Sequence, residues 1–235
     1  MKNIILYTWT LFAFLNYTVL MSQILAVDYQ ETMLMPEELL QAGIPAEQLL
    51  LLKSGFSNHV MQYTLRVDGN CFNYKFDTLL RMSPDGEAMS VTPMNFYTNT
   101  QKIYKRPARA KEAVYLAIAT HLPTDWDIVL DQQRTILGYA SYAATSKLDP
   151  TITAWFSTDI PVAAGPGPYG GLPGLILEIE GKHKRWVATR VTRSSKATAD
   201  KSTASDCNID KASTVDKTTW TRWLAKYRDD FLVRQ

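Results

Sequence analysis

The chain has 235 residues, 46% of them hydrophobic, with 25 basic against 23 acidic side chains and a net charge of +2. That length suits one domain with extensions, and the apolar content suffices for a core. The near balance of charge carries no nucleic-acid footprint.

Residues 1–22 open with Lys2, run through an apolar region from Ile4 to Met21 and end on Ser22. Order and length are those of a signal peptide, cleaved after Ser22 or after Ala26. The rival is an uncleaved anchor, but Thr8, Thr10, Asn16, Tyr17 and Thr18 dilute the run, and a stable span wants about 20 predominantly apolar residues. The expectation is an exported chain with no permanent membrane span after cleavage. No cysteine sits at the cut, so a lipid anchor is not expected.

Residues 23–56 read as an N-terminal extension. Within it Met33–Leu40 and Pro45–Lys53 each begin near a proline and stop before a glycine, Gly43 and Gly55, which predicts two short helices. The period then changes. Met61, Tyr63, Leu65 and Val67 alternate with polar residues, Asp68-Gly69-Asn70 follows, and Phe72, Tyr74 and Phe76 alternate again, so a β-hairpin is predicted. Asn95–Tyr104 reads as one further strand. Lys105, Arg106, Arg109 and Lys111 form a basic run, read as a solvated loop or as a contact for anionic lipid or polysaccharide. Ala113–Leu122 fits helix or strand.

In Asp125–Asp131, strand spacing puts Trp126, Ile128 and Leu130 on one face and Asp125, Asp127 and Asp131 on the other. The carboxylates suggest calcium or an acid–base pair, yet no calcium-loop glycine or downstream glutamate is correctly spaced, and a solvated face is the plainer reading. Thr135–Thr145 and Thr151–Phe156 predict a second hairpin. Then comes Gly165–Glu180, in which Gly165, Gly167, Gly170, Gly171 and Gly174 alternate with Pro166, Pro168 and Pro173 before an apolar run. Free and rigid backbone in alternation define a particular path, and it leads into a strand with one face more buried than the other. The segment is read either as a structural corner feeding a core strand or as a rim for a ligand or partner. It is not a phosphate loop, because GxxxxGK[ST] is absent and prolines remove the amides. Gly174 is expected in a conformation that a Cβ would strain, as at a positive φ.

The letters Gly171-Leu172-Pro173-Gly174-Leu175-Ile176 resemble the signature of the GLPGLI family of exported bacterial cell-envelope proteins. Thr153–Val162, with Trp155, Phe156, Ile160 and Pro161, is similar to that family's A-W-[FY]-[ST]-x-[DE]-I-P segment. Gly165-Pro166 and Tyr169-Gly170 resemble its GP and [FY]-x-GLPGLI elements. Trp126 and Ile136–Tyr139 resemble its W…I-x-G-Y segment, and Tyr63 and Cys71–Phe76 match an early hairpin. Coverage is roughly residues 57–192. The family often carries a cysteine shortly after the Gly-Tyr pair, where this chain has Ala140 and Ser141. The resemblance implies export to the periplasm or outer envelope and a strand at Ala113–Leu122; it implies no activity.

After the returning strand Arg185–Val191, residues 194–217 are rich in Ser, Thr, Ala, Lys and Asp, and read as a mobile linker. In 218–235, Trp220, Trp223, Leu224, Tyr227 and Phe231 recur at helical spacing, so a helix docked on the sheet is predicted, with Asp216 near its start. The two cysteines, Cys71 and Cys207, could pair in an oxidising compartment, although nothing in the sequence brings them together. His59, His121 and His183 form no metal motif, and no G-x-S-x-G elbow is present, so no cofactor, metal or catalytic residue is assigned.

These observations predict a mainly β fold, a curved antiparallel sheet or partly closed barrel over 57–193, with short N-terminal helices and a C-terminal amphipathic helix. By fold-level analogy it is loosely similar to half-barrel carriers of the lipoprotein-localisation type. The functional expectation is a binding module for an apolar ligand or an envelope protein partner; the alternative is an exported hydrolase with an unrecognised site. The candidate residues are Trp155, Phe156, Pro161, Gly165, Pro166, Tyr169, Gly170, Gly171, Leu172, Pro173 and Gly174.

Overall fold

Leu25, Val27, Tyr29 and Glu31 recur at every second position, which turns them to one face of strand β1 (Gln23–Met33), where all four are buried. The computed structural model that shows this describes residues 23–81, 93–98, 102–111, 113–119, 125–195, 209 and 214–232. The leader expected at residues 1–22 and most of the linker expected at 194–217 lie outside that set. Placed by the sequence in an extension, β1 is instead a central strand, paired antiparallel on both sides.

Pro36 and Pro45 stand at the N-caps of α1 (Glu37–Leu40) and α2 (Ala46–Ser57), which together bridge β1 to the next strand. Neither helix buries a residue. The predicted first hairpin is β2 (Val60–Asp68) and β3 (Cys71–Arg81), turned at Gly69 with a φ of 60°. Asn95–Tyr104, predicted as one strand, is two: β4 (Met94–Thr98) and β5 (Ile103–Pro107) pair antiparallel. The polar residues at 98–102 break the apolar alternation there.

The remaining strands are β6 (Tyr115–Ala119), β7 (Trp126–Ile136), β8 (Tyr139–Ser146), β9 (Thr153–Ser157), β10 (Leu175–Glu180), β11 (Lys184–Ser195) and β12 (Thr214–Val215). They form one sheet in the order β12-β6-β5-β4-β3-β2-β1-β11-β10-β9-β8-β7. Among the described residues only the β12–β6 pairing is parallel. The sheet is open, with β12 and β7 as its edges, so the fold is the curved, mainly β sheet the sequence predicts.

Its interior is filled by the faces that alternation selects: Leu25, Val27 and Tyr29 from β1, Met61, Tyr63 and Leu65 from β2, Tyr74 from β3 and Phe156 from β9. The sheet is curled tightly enough for Tyr29 to reach past β11 and donate to the Ile176 carbonyl of β10 at 2.5 Å. Aromatic packing supports the curl, with Tyr63 and Tyr74 stacked at 4.7 Å and Tyr29 edge-on to Tyr74 at 5.9 Å.

The C-terminal helix, α3 (Lys217–Leu232), starts as predicted at Asp216, whose carboxylate accepts the Thr219 amide at 2.9 Å. Trp220 is buried and its ring lies 5.4 Å from that of Trp223, beside β6 near the β12 edge. The helix thus docks at one end of the sheet; the side chains of Tyr227 and Phe231 lie outside the described residues. Cys71 is disulfide-bonded, and the chain's one other cysteine, Cys207, is outside the described residues. The sequence left that pairing open because 135 residues of intervening chain hide any proximity (207 − 71 − 1).

β7 and β8 are joined by the two-residue turn Leu137-Gly138, with φ of 53° and 84°. Positive φ at both positions is the type I′ hairpin turn, which favours Asn-Gly. A leucine in that region strains its Cβ against the backbone. Leu137→Asn is therefore expected to raise stability by about 1 kcal/mol, read from chemical denaturation; an unchanged midpoint would show that the turn carries no such strain.

Candidate functional site

The segment between β9 and β10 does not skirt the sheet but runs inside it. Ile160, Ala164 and Leu172 are buried in the same core as Tyr29, Tyr63 and Leu65. Short turns shape the descent: Val162 donates to Ile160 O at 2.7 Å and Ala164 to Val162 O at 2.8 Å. Tyr169 then donates to Pro166 O at 3.2 Å and closes a turn, with Gly167 at its second position and a φ of 59°. The return leg pairs with the descent through Gly171 N to Ala163 O at 3.1 Å, with Gly171 at a φ of 82°.

Three strands hold the tip of this inner hairpin. Trp126, on edge strand β7, donates its indole N–H to Gly170 O at 2.9 Å. Phe96 of β4, far along the sheet order, lies 3.8 Å from where a Cβ on Gly167 would stand. Tyr169 meets Trp186 of β11 edge-on at 5.6 Å. One four-residue tip touching β4, β7 and β11 means the sheet wraps around it. The gap between the curled flanks is filled by the chain's own backbone.

Two glycines make that passage feasible. A Cβ on Gly174 would stand 2.1 Å from Ser157 O and 2.6 Å from Ser157 C, so the strand entry lies directly on the end of β9. A Cβ on Gly165 would stand 2.9 Å from Ile176 side-chain atoms. A Cβ is indeed excluded at Gly174, but not by a positive φ, which Gly167 and Gly171 take instead. Gly174 is required by close backbone approach, a constraint between residues 17 apart that local sequence does not display.

The other candidate residues divide. Phe156 is in the core, 6.1 Å from the Tyr142 ring, and Pro166 and Gly170 are buried with the tip. Pro161 and Pro173 are exposed. Trp155 faces away from Phe156, beneath the Arg134 guanidinium at 3.9 Å. Arg134 also pairs with Glu178, which accepts from Arg185 at 2.6 and 2.9 Å. Burial pushes the Glu178 carboxyl up, but the bonds from Arg185 and Arg134 outweigh it and hold the group below its usual range. β10 is accordingly buried on both faces, Leu175 through Ile179, where the sequence suggested one.

A second polar cluster, which the sequence reading missed, lies beyond the tip. Glu31 is 3% exposed and accepts from the Trp186 indole at 2.9 Å and from Lys184. Buried His59 stands near both charges. Burial raises the Tyr63 phenol, and Glu31 adds to the shift. Tyr74 OH is buried with no hydrogen-bond partner among the described residues. Both Glu31 oxygens are engaged, as in a structural anchor, and no group of three metal-ligating side chains forms among the described residues. The missed signal was an acidic residue in phase with Leu25, Val27 and Tyr29.

Together these features define a class: a curled, open β-sheet closed over its own Gly/Pro hairpin. A family model described as "Protein of unknown function (Porph_ging)" matches residues 145–178, from the end of β8 through the inner hairpin into β10. No curated protein matches the chain.

Two outcomes follow. Gly174→Ala should destabilise by about 1–3 kcal/mol although alanine is the smallest change, because the clash is with backbone; thermal melts beside Gly43→Ala, which adds a Cβ to open space at a φ of 68°, would separate contact from conformation. For His59, desolvation holds the imidazole below its ordinary value, with Glu31 opposing and Lys184 assisting. A folded pKa below the unfolded one means stability is full above about pH 6.5 and falls as pH drops through that value. His59→Gln should flatten the slope between pH 7 and 5; an identical slope would remove His59 from the account.

Proposed function

We propose that this is an exported cell-envelope protein of the GLPGLI type, and that it acts by binding another polypeptide. The export half rests on the leader-like residues 1–22 and on the motif Gly171–Ile176. The binding half rests on one observation. The concave face, where a half-barrel carrier would seat an acyl chain, is occupied by Ile160, Ala164 and Leu172 of the inner hairpin. An apolar ligand would have to displace buried backbone held by the Trp126 indole and by the Leu175 and Ile176 amides of β10. A partner chain needs no such vacancy, because it can use edges and outer surfaces.

The test is native mass spectrometry of the protein purified from its own envelope fraction, with N-terminal sequencing of the same sample. We expect a start near Gln23 and a co-purifying polypeptide that survives dilution. A stoichiometric lipid would return the protein to the carrier class, and an intact Met1 on a membrane-bound product would defeat the export reading.

A further inference from the structure

We propose that the free edge of β7, between Leu130 and Leu137, takes up an extended segment of another polypeptide in which apolar and basic residues alternate. This rests on the binding reading above and gives it a surface.

Among the described residues β7 pairs with β8 alone and ends the sheet. The two-residue turn makes Ile136 and Tyr139 the hydrogen-bonded pair that closes the hairpin. Bonded and non-bonded pairs alternate along an antiparallel ladder, so the N–H and C=O of Gln133 and Thr135 point away from β8. Those are the groups an incoming strand pairs with.

Two leucines bracket this short run, and each is held there by a backbone irregularity. The register shift between Val129 and Gln133 leaves three residues of β7 unmatched, and among them Leu130 is 66% exposed. Leu137 is 44% exposed at its positive φ. Asparagine or glycine would serve that turn better, and an exposed leucine gains nothing from water. A contact that buries both leucines gives each irregularity a use.

Charge selects the occupant. Asp127 and Asp131 are exposed on β7, and Arg134, its one cation, is already engaged by Glu178 and Trp155. Lys147 answers Asp127 at 3.2 Å, with both side chains more than half exposed and therefore weakly coupled. The edge stays acidic. A second copy of this chain fits poorly: antiparallel pairing centred on the bulge would set Asp131 against its own counterpart, and the three-residue shift breaks any longer ladder. A basic, apolar strand from a different polypeptide meets both conditions.

The test uses the full chain and a labelled peptide of alternating lysine and valine, with a glutamate–valine peptide as control. Fluorescence anisotropy is expected to show the lysine peptide binding about tenfold tighter or better, and hydrogen exchange to slow at the Gln133 and Thr135 amides. Thr135→Pro removes an outward donor and no ladder bond, and should abolish binding. The double change Asp127→Lys with Asp131→Lys should reverse the preference between the peptides, an outcome a misfolded variant would not produce. Equal affinity for the two peptides, unslowed exchange at β7 or an unreversed preference would overturn the proposal. A polypeptide partner from the envelope whose complex survives both variants would also overturn it, and would leave the binding reading standing.

Discussion

The structure depends on one close passage. Where β9 gives way to the inner hairpin and β10 begins, the backbone of Gly174 lies on that of Ser157, with room for hydrogen and no more. That contact sets where β10 enters the sheet. It thereby sets the depth to which residues 160–172 are drawn inside, and it brings Gly170 under Trp126 and Tyr169 against Trp186. A sheet of this width would ordinarily bury its concave face against a helix or a second sheet. Here a stretch of chain with little regular secondary structure does that work. Its polar groups are met locally by short turns, by a pairing between its two legs, and by Trp126 and the Leu175 and Ile176 amides of β10 from the wall.

Much of the wall was legible from the sequence. Period-2 alternation identified β2, β3 and β10, strands were also expected where β8, β9 and β11 stand, and the prolines marked both short helices. Asp216 marked the start of α3. What failed did so for identifiable reasons. The alternation of β1 is hard to separate in the sequence because Leu25–Glu31 follows the apolar run Ile4–Met21 almost without a break. The one strand expected over Asn95–Tyr104 is two, since β4 ends at Thr98 and β5 starts at Ile103, on either side of a polar run that interrupts the apolar alternation. The Gly/Pro segment was recognised as a specific path, but no local rule states whether such a path goes around a sheet or through it; that follows from contacts with β4, β7 and β11, which are remote in sequence.

The candidate site was legible in the same partial way. Gly165 to Gly174 do come together, but as a filling and not as a rim. Trp155 and Phe156, neighbours in sequence, are separated by the sheet itself, since adjacent strand residues face opposite sides. The polar clusters around Glu31 and Glu178 needed the register of four strands before their partners could be named, so composition gave no hint of them.

One feature of the topology has a kinetic side. β1, the first strand, pairs along its length with β11, from Gln23 against Ser195 to Met33 against Lys184. The middle of the sheet therefore cannot form until most of the chain is available. Contacts so distant in sequence make folding slow relative to chains built from local pairings. A polypeptide that emerges progressively, from a ribosome or through a pore, stays unlocked until its last long strand arrives. The chain thus remains threadable for most of its passage, and it becomes a single cooperative body only when the two ends of the domain meet.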